Sequence, residues 1–210
     1  MSANSSSSAA VGISPAGLRD LPRVSWVMAR AFTPNEGAAV AVLPLIVIVS
    51  FLQVVRRAAY LDETRTGLVC LSRHRPIVDA LIMGAVFVVL FAGFVMMGYL
   101  GAATIPALDL LALAMMAWLL AATVLGVVYM SGSLTTPVGR ETPRHQLHTI
   151  AGLAQLPGTR LTAVLLARRL VAGLPPGTVV ATAAASDTLH GQYLRLGFRP
   201  GKHRRAYLVV

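Results

Sequence analysis

Apolar positions follow two different patterns along this chain. Between residues 37 and 130 they come in three long runs, whereas on either side they recur at the short spacings of amphipathic helices and strands. Residues 37–55 hold no charge, and they match the roughly 20 residues a helix needs to cross a bilayer. Pro44 lies inside this run, so it reads either as a span or as a kinked, re-entrant segment. The other two runs, Ile77 to Leu100 and Ile105 to Met130, each carry one acid near an end, Asp79 and Asp109. Both carboxylates are near enough to the interface to reach it by snorkelling, so no ion path is expected. Only residues 101–104 separate the two runs, which predicts a tight transmembrane helical hairpin over 77–130. Its tip is uncharged, so the positive-inside rule puts the tip outside.

From residue 140 onward the periodicity shortens. Residues 145–154 read as a strand and residues 155–160, Gln-Leu-Pro-Gly-Thr-Arg, as a loop. Residues 161–173 then read as a helix with Ala163, Leu166, Ala167 and Leu170 on one face, stopped by Gly173. Residues 177–185 form a β-branched, small-residue strand. Ser186 or Asp187 caps a short helix through Leu196, which Gly197-Phe198 ends in the manner of a Schellman cap. Residues 203–210 are a last strand. Alternating strands and helices predict an α/β fold class for this part, joined to α-helical transmembrane segments. Upstream, Leu21, Val24, Val27, Met28 and Ala31 fall on one face of a helix.

Composition and charge sharpen this picture. The chain is 56% hydrophobic and 12% charged, with a mean hydropathy of +0.70, whereas about a quarter of a soluble domain is charged. Net charge is +10. Residues 56–76 read as a basic cytoplasmic loop through Arg56, Arg57, Arg65, Arg73 and Arg75, and the segment from Arg140 to Arg205 carries ten basic residues, so it too is expected in the cytoplasm. The lone Cys70 cannot form an internal disulfide. Residues 1–10, rich in serine, read as a disordered leader and not a signal peptide.

Smaller features are weighed against plain packing. Ala117/Ala121 and Ala122/Gly126 suit close helix contact, in the first instance with the hairpin partner, with a homodimer or a membrane protein partner as the alternative. Trp118, Tyr99 and Tyr129 read as membrane packing and interface anchors. His145 and His148 fall on opposite faces of a strand with no acidic or Cys partner near, so no metal site is expected. One of them, or Glu141, is a positional candidate for a base, while His190 reads as a surface residue. The basic tail around Arg199, Lys202, Arg204 and Arg205 has little aromatic interleaving. Anionic membrane lipids, not nucleic acid, are therefore the expected partner, at about 1 kcal/mol per basic residue near the surface.

The C-terminal block resembles the second half of the GCN5-related N-acetyltransferase (GNAT) fold. In that family a strand leads into a loop Gln/Arg-x-x-Gly-x-Gly/Ala that holds the pyrophosphate of acetyl-CoA at a helix N-terminus. Gln155-Leu-Pro-Gly158-Thr159-Arg160 matches its first two signature positions, with Arg160 where the family has a small residue. The family then has an Asn, here Ser186, and a Tyr-x-x-x-Gly-Phe motif, matched in full by Tyr193 to Phe198. Residues 11–36, with Asp20-Leu21-Pro22, are similar to the family's first strand and helix. The resemblance implies acetyl-CoA as co-substrate, Gln155, Gly158, Thr159, Arg160 and Ser186 at the cofactor, and Tyr193 as the general acid that protonates the departing thiolate. It implies transfer of an acyl group from acyl-CoA to an unidentified amine acceptor at the cytoplasmic face of a multi-pass membrane protein.

On this reading the membrane runs are inserted within the domain and replace much of its central sheet. Because both halves of the domain must lie on one side, the number of crossings must be even, which conflicts with three full spans. The departures at Arg160 and Ser186, and the absence of recognisable substrate-side strands, give the competing expectation: a catalytically inactive subunit or scaffold.

Overall fold

A mixed six-stranded sheet organises the molecule in the order β1-β2-β3-β4-β6-β5. The structure, a computed structural model, describes residues 13–103, 106–130, 137–159, 161–184 and 186–210. The expected leader 1–10, residues 11 and 12 of the expected first strand, and Arg160 lie outside the described residues. Residues 13–17 carry no regular structure, although the Ala16 N–H donates to the Ala59 carbonyl at 2.8 Å.

Helix α1, Leu21–Phe32, has the apolar face its spacing predicts, with Val24, Val27, Met28 and Ala29 buried. Asn35 caps α2, Glu36–Val55, by accepting from the Ala38 N–H. Strands β1, Ala59–Leu61, and β2, Gly67–Arg73, follow as an antiparallel pair. Residues 56–76 are therefore not a basic loop but largely a β-hairpin built into the sheet. Asp62 shapes its turn by accepting from the Thr66 and Gly67 N–H groups at 2.7 and 2.6 Å and from Thr64.

Helices α3, Pro76–Ala103, and α4, Pro106–Met130, pack against each other as the expected hairpin. Strand β3, Leu147–Gln155, then pairs antiparallel with β2, with Arg73 opposite His148. The helical hairpin is thus an insertion between two adjacent strands of an intact sheet. The expectation that it displaces the central sheet is corrected. His145 precedes β3, in a turn.

The remaining elements are α5, Thr162–Ala172, β4, Val179–Ala183, α6, Asp187–Arg195, β5, Arg199–Pro200, and β6, Arg205–Val209. Apart from β5, which the sequence reading did not include, they agree with it to within about two residues at most ends.

Two apolar layers sandwich the sheet. On one face Val24, Val27 and Met28 of α1 and Val42 and Ile46 of α2 pack on Leu68, Cys70 and Ala154. On the other, Leu166 and Ala167 of α5 pack on Val69, Leu71, Ile150 and Val180. Alternation along β2 explains which residue faces which layer.

Three helices, over Glu36–Val55, Ala80–Tyr99 and Asp109–Tyr129, are long and apolar enough to cross a membrane, with mean hydropathies of 2.7, 2.6 and 2.4. Of the two small-residue pairs on α4, Ala117/Ala121 is exposed, whereas Gly126 of the other meets α2. A Cβ on Gly126 would lie 2.5 Å from a Leu45 methyl, Ala122 is fully buried, and the Trp118 indole donates to the Ala41 carbonyl at 3.2 Å. Trp118 is thus tied to a neighbouring helix and is not only an interface anchor.

Candidate functional site

The chemistry-bearing residues gather where the sheet forks. Strand β3 pairs parallel with β4 only from Leu147 to Ile150, opposite Val179 to Thr182. At that point β3 has a bulge: Cys70 pairs with Gly152 and Leu71 with Ile150, which leaves Ala151 extra. The additional residue switches the faces of everything after it. Ile150 faces α5, whereas Gly152, whose Cβ would come within 3.1 Å of the Met28 methyl, faces α1. Past the bulge β3 continues along β2 through Gln155, while β4 ends at Ala183. Among the described residues no strand pairs with this stretch on the β4 side. About five residues, or roughly 16 Å of strand, thus leave the backbone groups of every other residue unpaired on that edge.

Tyr193 stands at the root of this fork. Its phenol shares a hydrogen bond with Thr182, and the Thr182 hydroxyl donates to the Ile150 carbonyl at 3.4 Å, joining the last paired residues of β3 and β4. The ring is 6% exposed. Burial raises its pKa, and the Thr182 bond offsets this only in part, so the group is protonated at neutral pH and is a donor. Tyr193 lines a cavity of about 520 Å³ between α5 and α6, together with Ile150, Leu153, Val164, Arg168 and Phe198. That volume suits a small organic ligand.

The motif Tyr193 to Phe198 also has a local structural cause. The Phe198 N–H donates to the Tyr193 carbonyl and the Gly197 N–H to the Leu194 carbonyl, both at 3.1 Å, which is the Schellman pattern. Gly197 takes φ +90°, a left-handed conformation that glycine adopts without strain. The Tyr193 and Phe198 rings pack with centroids 5.5 Å apart, closing the cap with its usual hydrophobic contact.

The expected cofactor loop lies outside the lining of this cavity. The Gln155 amide donates to the Thr159 carbonyl at 3.1 Å and the Thr159 hydroxyl to the Leu156 carbonyl at 2.6 Å. Gly158, at φ +81°, forms the turn. Leu161 precedes α5 in a left-handed conformation and gives no side-chain cap, so the first N–H groups of α5 lack the usual acceptor. Two neighbours qualify that end as an anion site. A Cβ on Gly67 would lie 2.7 Å from the Ala163 nitrogen, so the first turn is pressed onto β2. A cleft of about 350 Å³ beside Thr162 is lined by Asp62 and Glu63. Partial burial pushes Asp62 up, but its hydrogen bonds from Thr64, Gly67 and Thr66 together outweigh this and hold its carboxyl below the usual range. Asp62 is charged at neutral pH and repels phosphate; Glu63 is paired with Arg169 at 3.3 Å.

Ser186 caps α6, its hydroxyl accepting from the Leu189 N–H at 3.2 Å. None of the three candidate bases lines the Tyr193 cavity. His148 is bonded to the Gln146 carbonyl through Nδ1, and His145 is exposed. Glu141 accepts from the Lys202 N–H at 2.9 Å and lies 3.7 Å from Arg205. Backbone hydrogen bonds and these cations lower its pKa, making it a poorer base. His190 is not a free surface residue, since its ring is bonded to the Arg205 carbonyl.

The sequence reading missed Thr182, Arg168 and the open edge of β3. Arg168 and Val164 were discoverable, since they lie one turn apart on the flank of the α5 face already identified. The bulge left no such trace. Comparison of the chain with protein-family models, with curated proteins and with solved structures returned no match in any of the three.

Proposed function

We propose that this chain is a membrane-held N-acyltransferase of the GNAT type, which moves an acyl group from acyl-CoA to an amine, with Tyr193 as general acid. The observation that carries this reading is the fork between β3 and β4 with a buried, protonated tyrosine at its root. The arm of acyl-CoA is a chain of amides, and the unpaired edge of β3 offers partners for them as a sheet edge does for an extended peptide. The thioester carbon then lies near Ile150 and Thr182. The amine nitrogen attacks that carbon, the new C–N bond forms, the C–S bond breaks and Tyr193 gives its proton to the leaving thiolate, while the proton that the nitrogen sheds on becoming an amide returns through solvent to the Tyr193 oxygen. The amine must arrive neutral, because no base lines the cavity among the described residues.

The strand order, with one parallel pair at the fork and α5 following β3, supports the same reading. So does the contact between Ala16 and Ala59. It joins the chain entering α1 to the chain leaving α2, so these two helices leave the sheet and return to it on one side. With α3 and α4 as the two crossings, the sheet and both termini are cytoplasmic.

A second reading, an inactive GNAT-like subunit that binds a protein partner, draws support from the Schellman geometry. That geometry accounts for Tyr193, Gly197 and Phe198 by folding alone. The acids beside α5 also favour it.

Calorimetry of acetyl-CoA binding to detergent-solubilised protein separates the readings. The enzyme binds acetyl-CoA and loses about 10²-fold or more in turnover on Tyr193→Phe with binding retained, in line with the size of acid catalysis. The scaffold binds none. Binding that appears only on Arg160→Gly marks a site that has lost its cofactor.

A further inference from the structure

A second cavity, of about 430 Å³, lies where α2 ends, β2 ends and α3 begins. Arg56, Arg57, Arg73 and Arg75 all line it, and no Asp or Glu does among the described residues. Arg57, Arg73 and Arg75 make no ion pair among the described residues. Like charges such as those of Arg57, Arg73 and Arg75 around one cavity repel one another, at a cost that a bound anion lowers. Ser72 and Tyr60 add hydroxyls to the lining, while Val78 and Ile82 of α3 give it one apolar wall.

The backbone carries a separate signal. At the end of α2 the Ala58 N–H donates to the Gln53 carbonyl and the Arg57 N–H to the Val54 carbonyl, again the Schellman pattern. Here the left-handed position, φ 53°, holds Arg57 and not glycine. An arginine is strained there, and the same chain uses glycine at the equivalent place after α6. An unfavourable residue kept at the mouth of a basic cavity points to a use for its side chain.

We propose that this cavity binds the headgroup phosphate of an anionic phospholipid, with the guanidinium groups on the phosphate oxygens and the acyl chains along Val78 and Ile82. Arginine suits this because its fork of donors matches phosphate geometry. A lipid is favoured over a soluble phosphate because the apolar wall belongs to a helix long and apolar enough to span a bilayer. Arginines also flank the ends of both α2 and α3 here, as they do at a cytoplasmic interface. The site depends on membrane residence but not on acyl transfer, so its failure leaves the Tyr193 reading untouched.

The test is native mass spectrometry of the full chain, released from nanodiscs of phosphatidylcholine with one-third phosphatidylglycerol, beside Arg57→Gly and the double variant Arg73→Ala/Arg75→Ala. Retained phosphatidylglycerol adducts that fall at least five-fold in both variants are expected. Arg57→Gly removes the strained residue, so it should lose lipid while its unfolding temperature rises, which distinguishes lost binding from lost folding. Adducts unchanged in the variants, or equal retention of phosphatidylcholine, overturn the site. Displacement of the adduct by millimolar glycerol phosphate overturns the lipid as its source.

Discussion

Helices α2 and α3 are nearly equal in hydropathy, 2.7 against 2.6, yet a third of the α2 window is buried and, among the described residues, none of the α3 window. The difference lies in what each one meets. Helix α2 gives Val42 and Ile46 to the core beneath β2 and Leu45 to α4, whereas α3 leaves Val88, Val89 and Phe91 exposed. An apolar helix next to a sheet and one in lipid need the same side chains, since both environments exclude water. Hydropathy therefore measures the exclusion of water and not the identity of what excludes it.

A matched pair of substitutions gives the largest contrast. Ile46→Asp buries a charge without a partner and should cost about 4 kcal/mol, abolishing cooperative unfolding of the sheet in detergent. Val89→Asp should leave that transition in place and lower the membrane-inserted fraction instead, by a cost of about 3 kcal/mol at a span centre. If both variants lose the membrane fraction and keep the sheet, α2 belongs to the lipid alone.

Cys70 reports on the same cover with a somewhat smaller effect. It is 1% exposed beneath α1 and α2, so maleimide should label it only as fast as the protein opens. Burial pushes its thiol up to about 12 from 9.0. The folded state thus holds this proton where the unfolded chain has released it, so the contribution is intact below pH 9.0 and is lost as pH rises toward 12. Tyr193, also raised by burial, adds to the alkaline loss from about pH 10. Cys70→Ala should flatten the earlier part of that decline in a pH series of thermal midpoints.

Gly126→Leu tests the contact between α2 and α4. The added atoms meet Leu45, and overpacking of this kind costs about 1–3 kcal/mol. The loss should show in detergent unfolding, and cross-linking between cysteines placed at positions 41 and 118 should fall. The smallest effect is Ser50→Ala. Ser50 is fully buried, and its hydroxyl donates to the Met28 sulfur at 3.7 Å. Because this acceptor is weak, replacing the hydroxyl by an apolar atom should change stability by less than about 1 kcal/mol.

Legibility in the sequence follows the range of the interactions. The C-terminal helices and strands were readable because capping by Ser186, the Gly197 stop and the Ala163-to-Leu170 face act within one or two turns. Tyr193 was found as part of such a local motif. Strands β1 and β2 were not read, since the arginines around them resemble a loop and β3, the second partner of β2, lies at least 75 residues away. Thr182 and the open edge of β3 belong to the site only through the Ala151 bulge, which depends on how β3 meets two neighbours at once.

The sequence by itself determined three apolar helices, an α/β block and the cap at Tyr193, because each rests on water exclusion or on hydrogen bonds between near neighbours. Only the tertiary structure decided that α2 is shared between sheet and bundle, that the α3–α4 hairpin interrupts no strand, and that four arginines from 56 to 75 meet in one cavity. Those outcomes depend on pairing between distant segments, which no local pattern of residues specifies.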